Sequence, residues 1–163
     1  MKGTTLNKLL LLVLVAYAGV AMSNEPVEAF TSLIDAFYEG DAACVENGLS
    51  SDSINMINMM LMMIRIQPVQ AAAELSDEFQ VALTGPELAN WTSTDFIYAF
   101  INAPGIIENL PSREDIEISG FDIQGDSSTV FLKVADYPDE FEIAMVREGN
   151  DWKLGESLLQ SEL

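Results

Sequence analysis

From residue 116 onward the chain alternates apolar and polar positions. Ile116-Glu117-Ile118, Val130 to Val134, Phe141 to Met145 and Trp152-Lys153-Leu154 carry apolar residues at period two, which predicts strands with one buried face. Gln124-Gly125-Asp126-Ser127, Tyr137-Pro138-Asp139 and Glu148-Gly149-Asn150-Asp151 lie between them and are rich in turn formers. The pattern predicts a four-strand antiparallel meander ending the chain. Its phase slips at Gly120, so that Ile116 and Ile118 fall on one face and Phe121 and Ile123 on the other. A glycine at a phase slip predicts a β-bulge, which bends the strand and lets the sheet curl.

Upstream the period changes to that of helices. Asn24 is placed to cap a first helix with Pro26 in its first turn, and Val27, Phe30, Leu33 with Ile34, and Phe37 form its buried face. Gly40 is expected to end it, with Asp41 capping a short second helix to about Leu49. Ser53 is expected to cap a third, Ile54 to Ile66, which Pro68 stops. Gln70 to Leu83 continues as an amphipathic helix broken by Thr84-Gly85-Pro86. Another begins at Ser93 or Thr94 with Phe96, Ile97, Phe100 and Ile101 inward, and a last apolar piece runs from Ile106 to Leu110.

The third helix is the oddest in composition. Met56, Met59, Met60, Met62 and Met63 mix with Ile54, Ile57, Leu61, Ile64 and Ile66, and only Asn55, Asn58 and Arg65 are polar. Those three share one narrow stripe, so nearly every other side is expected to be buried. Burying such side chains stabilises by about 1.5–3 kcal/mol each, so the helix should pack between elements, line a cavity or join a dimer contact. It is too short to span a bilayer, which takes about 20 residues. Filling an irregular core is the first reading of the methionines, and lining a pocket for an apolar ligand is the second. The third is copper(I) held by Met56, Met59 or Met60, and Met63, because soft thioethers select that ion.

The start of the chain changes the picture of its compartment. Lys2 and Lys8 make a basic opening, Leu9 to Val15 contains no polar residue, and Ala16 to Ser23 is mostly small. This predicts a secretory signal peptide over residues 1–23, cut after Ala18 or slightly later, and an exported periplasmic or secreted product. The apolar run is shorter than a membrane span, so no membrane attachment is expected once it is removed. What remains is expected to be one α+β domain over residues 24–163.

Charge narrows the partners. The chain has 26 acidic and 7 basic side chains for a net −19, which becomes −21 when the two leader lysines go and no acid goes with them. Such a surface repels nucleic acid, whose recognition needs clustered Lys and Arg. Asp122, Asp126 and Asp136 lack calcium-loop spacing, and no motif asks for a metal or cofactor. Cys44 is the only cysteine and sits in Ala42-Ala43-Cys44-Val45, which reads as core filling. No histidine is available to activate it.

Two features at the ends of residues 24–163 carry a resemblance. A leading helix ending in Phe37-Tyr38-Glu39-Gly40-Asp41-Ala42-Ala43, and a last hairpin running from Ile143 through Glu148-Gly149-Asn150-Asp151-Trp152-Lys153-Leu154, resemble the nuclear transport factor 2-like superfamily. The likeness is to its exported, cystatin-like, uncharacterised members. It implies a cone, in which a bent sheet wraps the first helix around an apolar pocket, often in a homodimer. Phe30, Ile34, Phe37, Met56, Met60, Met63, Tyr98, Phe131, Met145 and Trp152 are the expected lining. The superfamily's catalytic sets do not carry over. Leu33 stands where its isomerases keep a tyrosine, the methionine helix stands where their aspartate strand would be, and its dehydratases rely on histidine.

The expectation is therefore helices packed on a curved four-strand C-terminal sheet, exported, and binding a small apolar ligand or a protein partner without catalysis. The alternative is a lyase- or isomerase-like enzyme working through a buried carboxylate and a tyrosine. Asp35 with Tyr38 and Asp95 with Tyr98 are the pairs that such chemistry would use.

Overall fold

The computed structural model describes residues 25–155. The expected leader, its cut site and Asn24 lie outside the described residues. Within them, helices come first and the sheet last, an α+β arrangement as expected.

Helix α1, Pro26–Glu39, starts with proline inside its first turn and ends at Gly40 in the left-handed region, φ 74°. A Cβ at Gly40 would also stand 2.7 Å from Asn102 Oδ1, a side-chain end that can give way, so it is the conformation that calls for glycine there. Helix α2, Ala42–Gly48, is capped by Asp41, which accepts from the Cys44 N–H at 3.0 Å. Helix α3, Ser51–Ile66, begins earlier than its apolar pattern suggests, because Ser50 is the cap and Ser53 lies inside the first turn. Helix α4, Pro68–Phe79, follows directly. The short α5, Gly85–Leu88, leads to α6, Ser93–Ile101, and α7 is the single turn Pro104–Ile107. One 3₁₀ turn, Arg113–Asp115, leads into the sheet.

The strands are β1, Ile116–Gln124; β2, Ser127–Val134; β3, Phe141–Glu148; and β4, Asp151–Leu154. They pair antiparallel in the order β1-β2-β3-β4. The register of β1 shifts between Ile118 and Gly120, so the bulge falls at the glycine and Ser119 is its extra residue. Its effect on side-chain direction corrects the simple alternation. Ile118 pairs with Leu132 and Phe121 with Val130, and Leu132 and Val130 share a face, so Ile116, Ile118, Phe121 and Ile123 all share it too. The extra residue cancels the slip in the sequence.

That face carries Val130, Leu132, Ile143, Met145, Trp152 and Leu154, all buried. Helix α1 lies over it, against β4 and more lightly β1 and β2, contributing Phe30 and Leu33. An aromatic cluster adjoins this core, in which Phe79 and Trp91 are buried and Phe96 is half-buried, while Phe100, expected to point inward, is 37% exposed. Phe79 from α4 sits 6.1 Å from Phe100 and 6.4 Å from Phe96, and Trp91 packs edge-on to Phe96 at 6.4 Å. At Gly105 a Cβ would come within 2.2 Å of the Glu78 carbonyl oxygen, so α7 lies directly on the end of α4.

Helix α3 does not lie across the sheet. Its packing neighbours are α4 and α6, and its ties to the strands are at its first turn. The Ser50 N–H and the Ser53 hydroxyl donate to the Leu154 carbonyl at 2.9 and 3.2 Å. The Ser51 N–H and hydroxyl donate to the two Glu148 carboxylate oxygens at 2.7 and 2.9 Å. A carboxylate at a helix N-terminus is favoured by the helix dipole as well as by these bonds.

Candidate functional site

Ser53, Ile57 and Leu61, spaced four apart, are the buried residues of α3, with Ile54, Met60 and Ile64 half-buried beside them. This is a single stripe of the helix. On the far side Met59, Met62, Met63 and Ile66 are 66, 62, 71 and 75% exposed, and Val69 at the start of α4 is 77% exposed. The expectation that nearly all of this helix is buried is thus corrected. One stripe meets α4 and α6, and the opposite apolar stripe is bare.

Arg65 fixes the angle at which that stripe is held. Its Nη2 donates to the Trp91 carbonyl at 2.8 Å and its Nε to the Ala89 carbonyl at 3.3 Å, tying the last turn of α3 to the loop before α6. With Glu148 at the first turn and Arg65 at the last, both ends of the helix are anchored while its outer face is mostly in solvent. A second carboxylate clamp supports α6: the Ser93 and Thr94 hydroxyls donate to the two oxygens of Glu46. Neither Glu148 nor Glu46 was legible as an anchor, because each partner lies more than forty residues away in the chain.

The expected pocket lining does not converge. Phe30, Met145 and Trp152 are buried in the core under α1, and Ile34 and Phe37 are partly buried against it. Met60 packs at the edge of the core and Met56 is half-buried, whereas Met63 and Tyr98 face solvent. Phe131 pairs with Gly120 on the outer face of the sheet, opposite Val130 and Leu132. Two hollows are open rather than enclosed. One of about 590 Å³ is lined largely by Glu114, Glu117, Asp136, Asp139 and Glu140 with Lys133. The other, about 490 Å³, includes Asp35, Glu39, Asp41, Cys44 and Asn47. Both mix charged with apolar walls, the second including Leu33, Ala36 and Trp152, and neither encloses a ligand.

The acid–base pairs are equally dispersed. The exposed Asp35 is 2.7 Å from Arg113 Nε in an ion pair, and the Tyr38 hydroxyl donates to the Pro111 carbonyl at 2.6 Å. Desolvation raises the Tyr38 phenol above its ordinary value, with Asp115 adding to the rise and Arg113 opposing it. Asp95 closes a capping box with Thr92 at the start of α6: it accepts from the Thr92 N–H at 2.8 Å and the Thr92 hydroxyl at 2.7 Å. Those bonds hold its carboxyl below the usual range, the reverse of what a general acid at neutral pH requires. Tyr98 is exposed and its carbonyl accepts from Asn102 Nδ2. Cys44 is exposed, contrary to its expected place in the core. The Asp41 carboxylate beside it raises its thiol, which disfavours the thiolate. Among the described residues no group of three His, Cys, Asp or Glu side chains is placed to hold a metal.

The Asp95 cap makes a prediction of its own. Replacing Asp95 by alanine should cost about 0.5–1 kcal/mol at pH 7, as loss of a capping partner does. Because the folded carboxyl is depressed, its contribution is present above the unfolded value near 4 and is lost as pH falls below that. Urea unfolding of the two proteins should therefore differ at pH 7 and converge toward pH 2.5; a gap that persists in acid would refute the ionised cap.

No family model, curated protein or solved structure matches this chain.

Proposed function

We propose that this chain is an exported, non-catalytic interaction module that receives a protein partner on the bare stripe of α3. The observation that carries the reading is a reversal of inside and outside. Bulky aromatics fill the space between α4 and α6, while Met59, Met62, Met63, Ile66 and Val69 stand in solvent. A monomer seldom exposes a contiguous apolar patch larger than a few hundred Å² without a use for it. Methionine suits such a face because its unbranched, polarisable side chain adapts to whatever it meets. The anchors at both ends of α3 support the same reading, since a preset helix loses little freedom when it docks.

The likeness to the nuclear transport factor 2-like superfamily belongs to this proposal. It is supported by the position of α1 against a sheet whose first strand carries a bulge at Gly120. In this reading the protein keeps the cone and puts its binding surface outside it.

Native mass spectrometry of the protein exported by its own source tests the reading against its rivals. The expected mass is that of the polypeptide shortened by its leader, alone or in whole-number protein assemblies. A stoichiometric adduct of a few hundred daltons would replace this reading with a ligand pocket. A copper adduct lost on substituting Met59 and Met63 would replace it with a metal site.

A further inference from the structure

Between Asp52 and Glu74 there is no acidic residue, the longest such interval among the described residues of a chain with 26 Asp and Glu. The bare stripe lies inside this interval. Met59, Met62 and Ile66 follow one another at spacings of three and four, the seam spacing of a helix pair, with Met63 alongside; Val69, also exposed, follows just after Pro68 in the chain. We infer that the occupant of this face is a second copy of the chain, related by a two-fold axis passing near Met62 and Met63. This rests on the reading of α3 as a docking face.

Three arguments select a copy over other partners. The first is charge: two chains of net −19 repel almost everywhere, and repulsion reaches about 10 Å at moderate ionic strength. A stripe without carboxylates is where they can touch without opposing acids. A basic partner would instead be drawn to the acidic surface elsewhere. The second is size. The five residues, 62 to 77% exposed, present on the order of 600 Å² per copy, so a symmetric pair could bury at most about 1,200 Å², at the lower end of specific interfaces. The third is the flank. A helix lying on a membrane surface carries Lys and Arg along its polar side, whereas α3 has Asp52, Asn55, Asn58 and a single Arg65 already donating to the Ala89 and Trp91 carbonyls. An isologous contact needs only one patch that fits itself, and flexible methionines fit themselves readily.

The test is sedimentation equilibrium of protein expressed from its full sequence and carrying Cys44→Ser, which removes chance disulfides through the exposed thiol. Dimers are expected with a dissociation constant on the order of 10 µM, as suits an interface of this size. Raising salt from about 0.02 to about 0.5 M should tighten the pair several-fold, because screening relieves repulsion between the acidic copies. Met62→Glu, and independently Met63→Lys, should each weaken pairing at least tenfold while leaving the far-UV spectrum unchanged. The second variant covers a failure of the first to fold. A monomer at every concentration would overturn the second copy but leave α3 as a face for another protein. A dimer that survives both variants would overturn the placement. Monomers that bind zwitterionic phosphatidylcholine vesicles through this stripe would overturn it in favour of a lipid surface. An adduct seen by mass spectrometry is a different result and would remove the docking reading itself.

Discussion

Exchanging Leu61 for alanine should lower the unfolding free energy by about 3 kcal/mol, while the same exchange at the adjoining Met62 should change it by less than about 0.5 kcal/mol. Leu61 is 1% exposed and lies in the continuous core with Ile57, whereas Met62 is 62% exposed. Removing Leu61 costs the transfer free energy of its side chain and leaves a cavity between α3 and its neighbours α4 and α6. Truncating Met62 removes atoms already in water and leaves a better helix former behind. For a domain of this length the first change corresponds to a drop of roughly 6–12 °C in Tm and the second to almost none. The melts belong at sub-micromolar protein, below the expected pairing constant, so that the folded monomer is what is measured. Equal losses at the two positions would mean that α3 is buried all round and that there is no bare face to dock on.

The contrast also shows what the sequence makes readable. Strand alternation, the three turns and the bulge at Gly120 are written in local chemistry, and the structure places each where the pattern does. The same is true of Gly40, Asp41 and Pro68, which act through their own backbone or the next turn. The orientation of α3 is not readable in this way. A helix with apolar residues on almost every side has no preferred inward direction of its own, so the packing of α4 and α6 decides which stripe is covered. Ser53 adds to the difficulty. It looks like a cap, yet it is buried in the first turn with its hydroxyl directed to Leu154, about a hundred residues later, and Ser50 does the capping. Phe121 and Ile123 show the complementary limit. The slip in their phase was visible, but its sign depended on Ser119 being the extra residue, which only pairing with β2 defines. Cys44 differs for a simpler reason: Ala42 and Val45 are the buried residues of its turn, and the helix directs Ala43 and Cys44 between them outward.

Phe79 offers the second large effect and tests the interior rather than the surface. It is 1% exposed and joins α4 to the aromatic run of α6, with Phe96 and Phe100 themselves stacked at 6.4 Å. Phe79→Ala should destabilise by about 3–5 kcal/mol, the cost of losing a buried ring and leaving a space that rigid neighbours only partly close. The flanking rings gain 0.5–1.5 kcal/mol from edge contacts in typical aromatic pairs, so the loss should lie toward the upper part of that range. The space left beside the half-buried Phe96 and the partly exposed Phe100 has apolar walls and should accept a small apolar molecule. The variant should therefore be stabilised by benzene at millimolar concentration, through binding that the parent protein lacks. If the parent is stabilised by benzene to the same extent, its interior already holds an apolar chamber. In that case the reading of a filled core with an external binding face gives way to a ligand-binding cone.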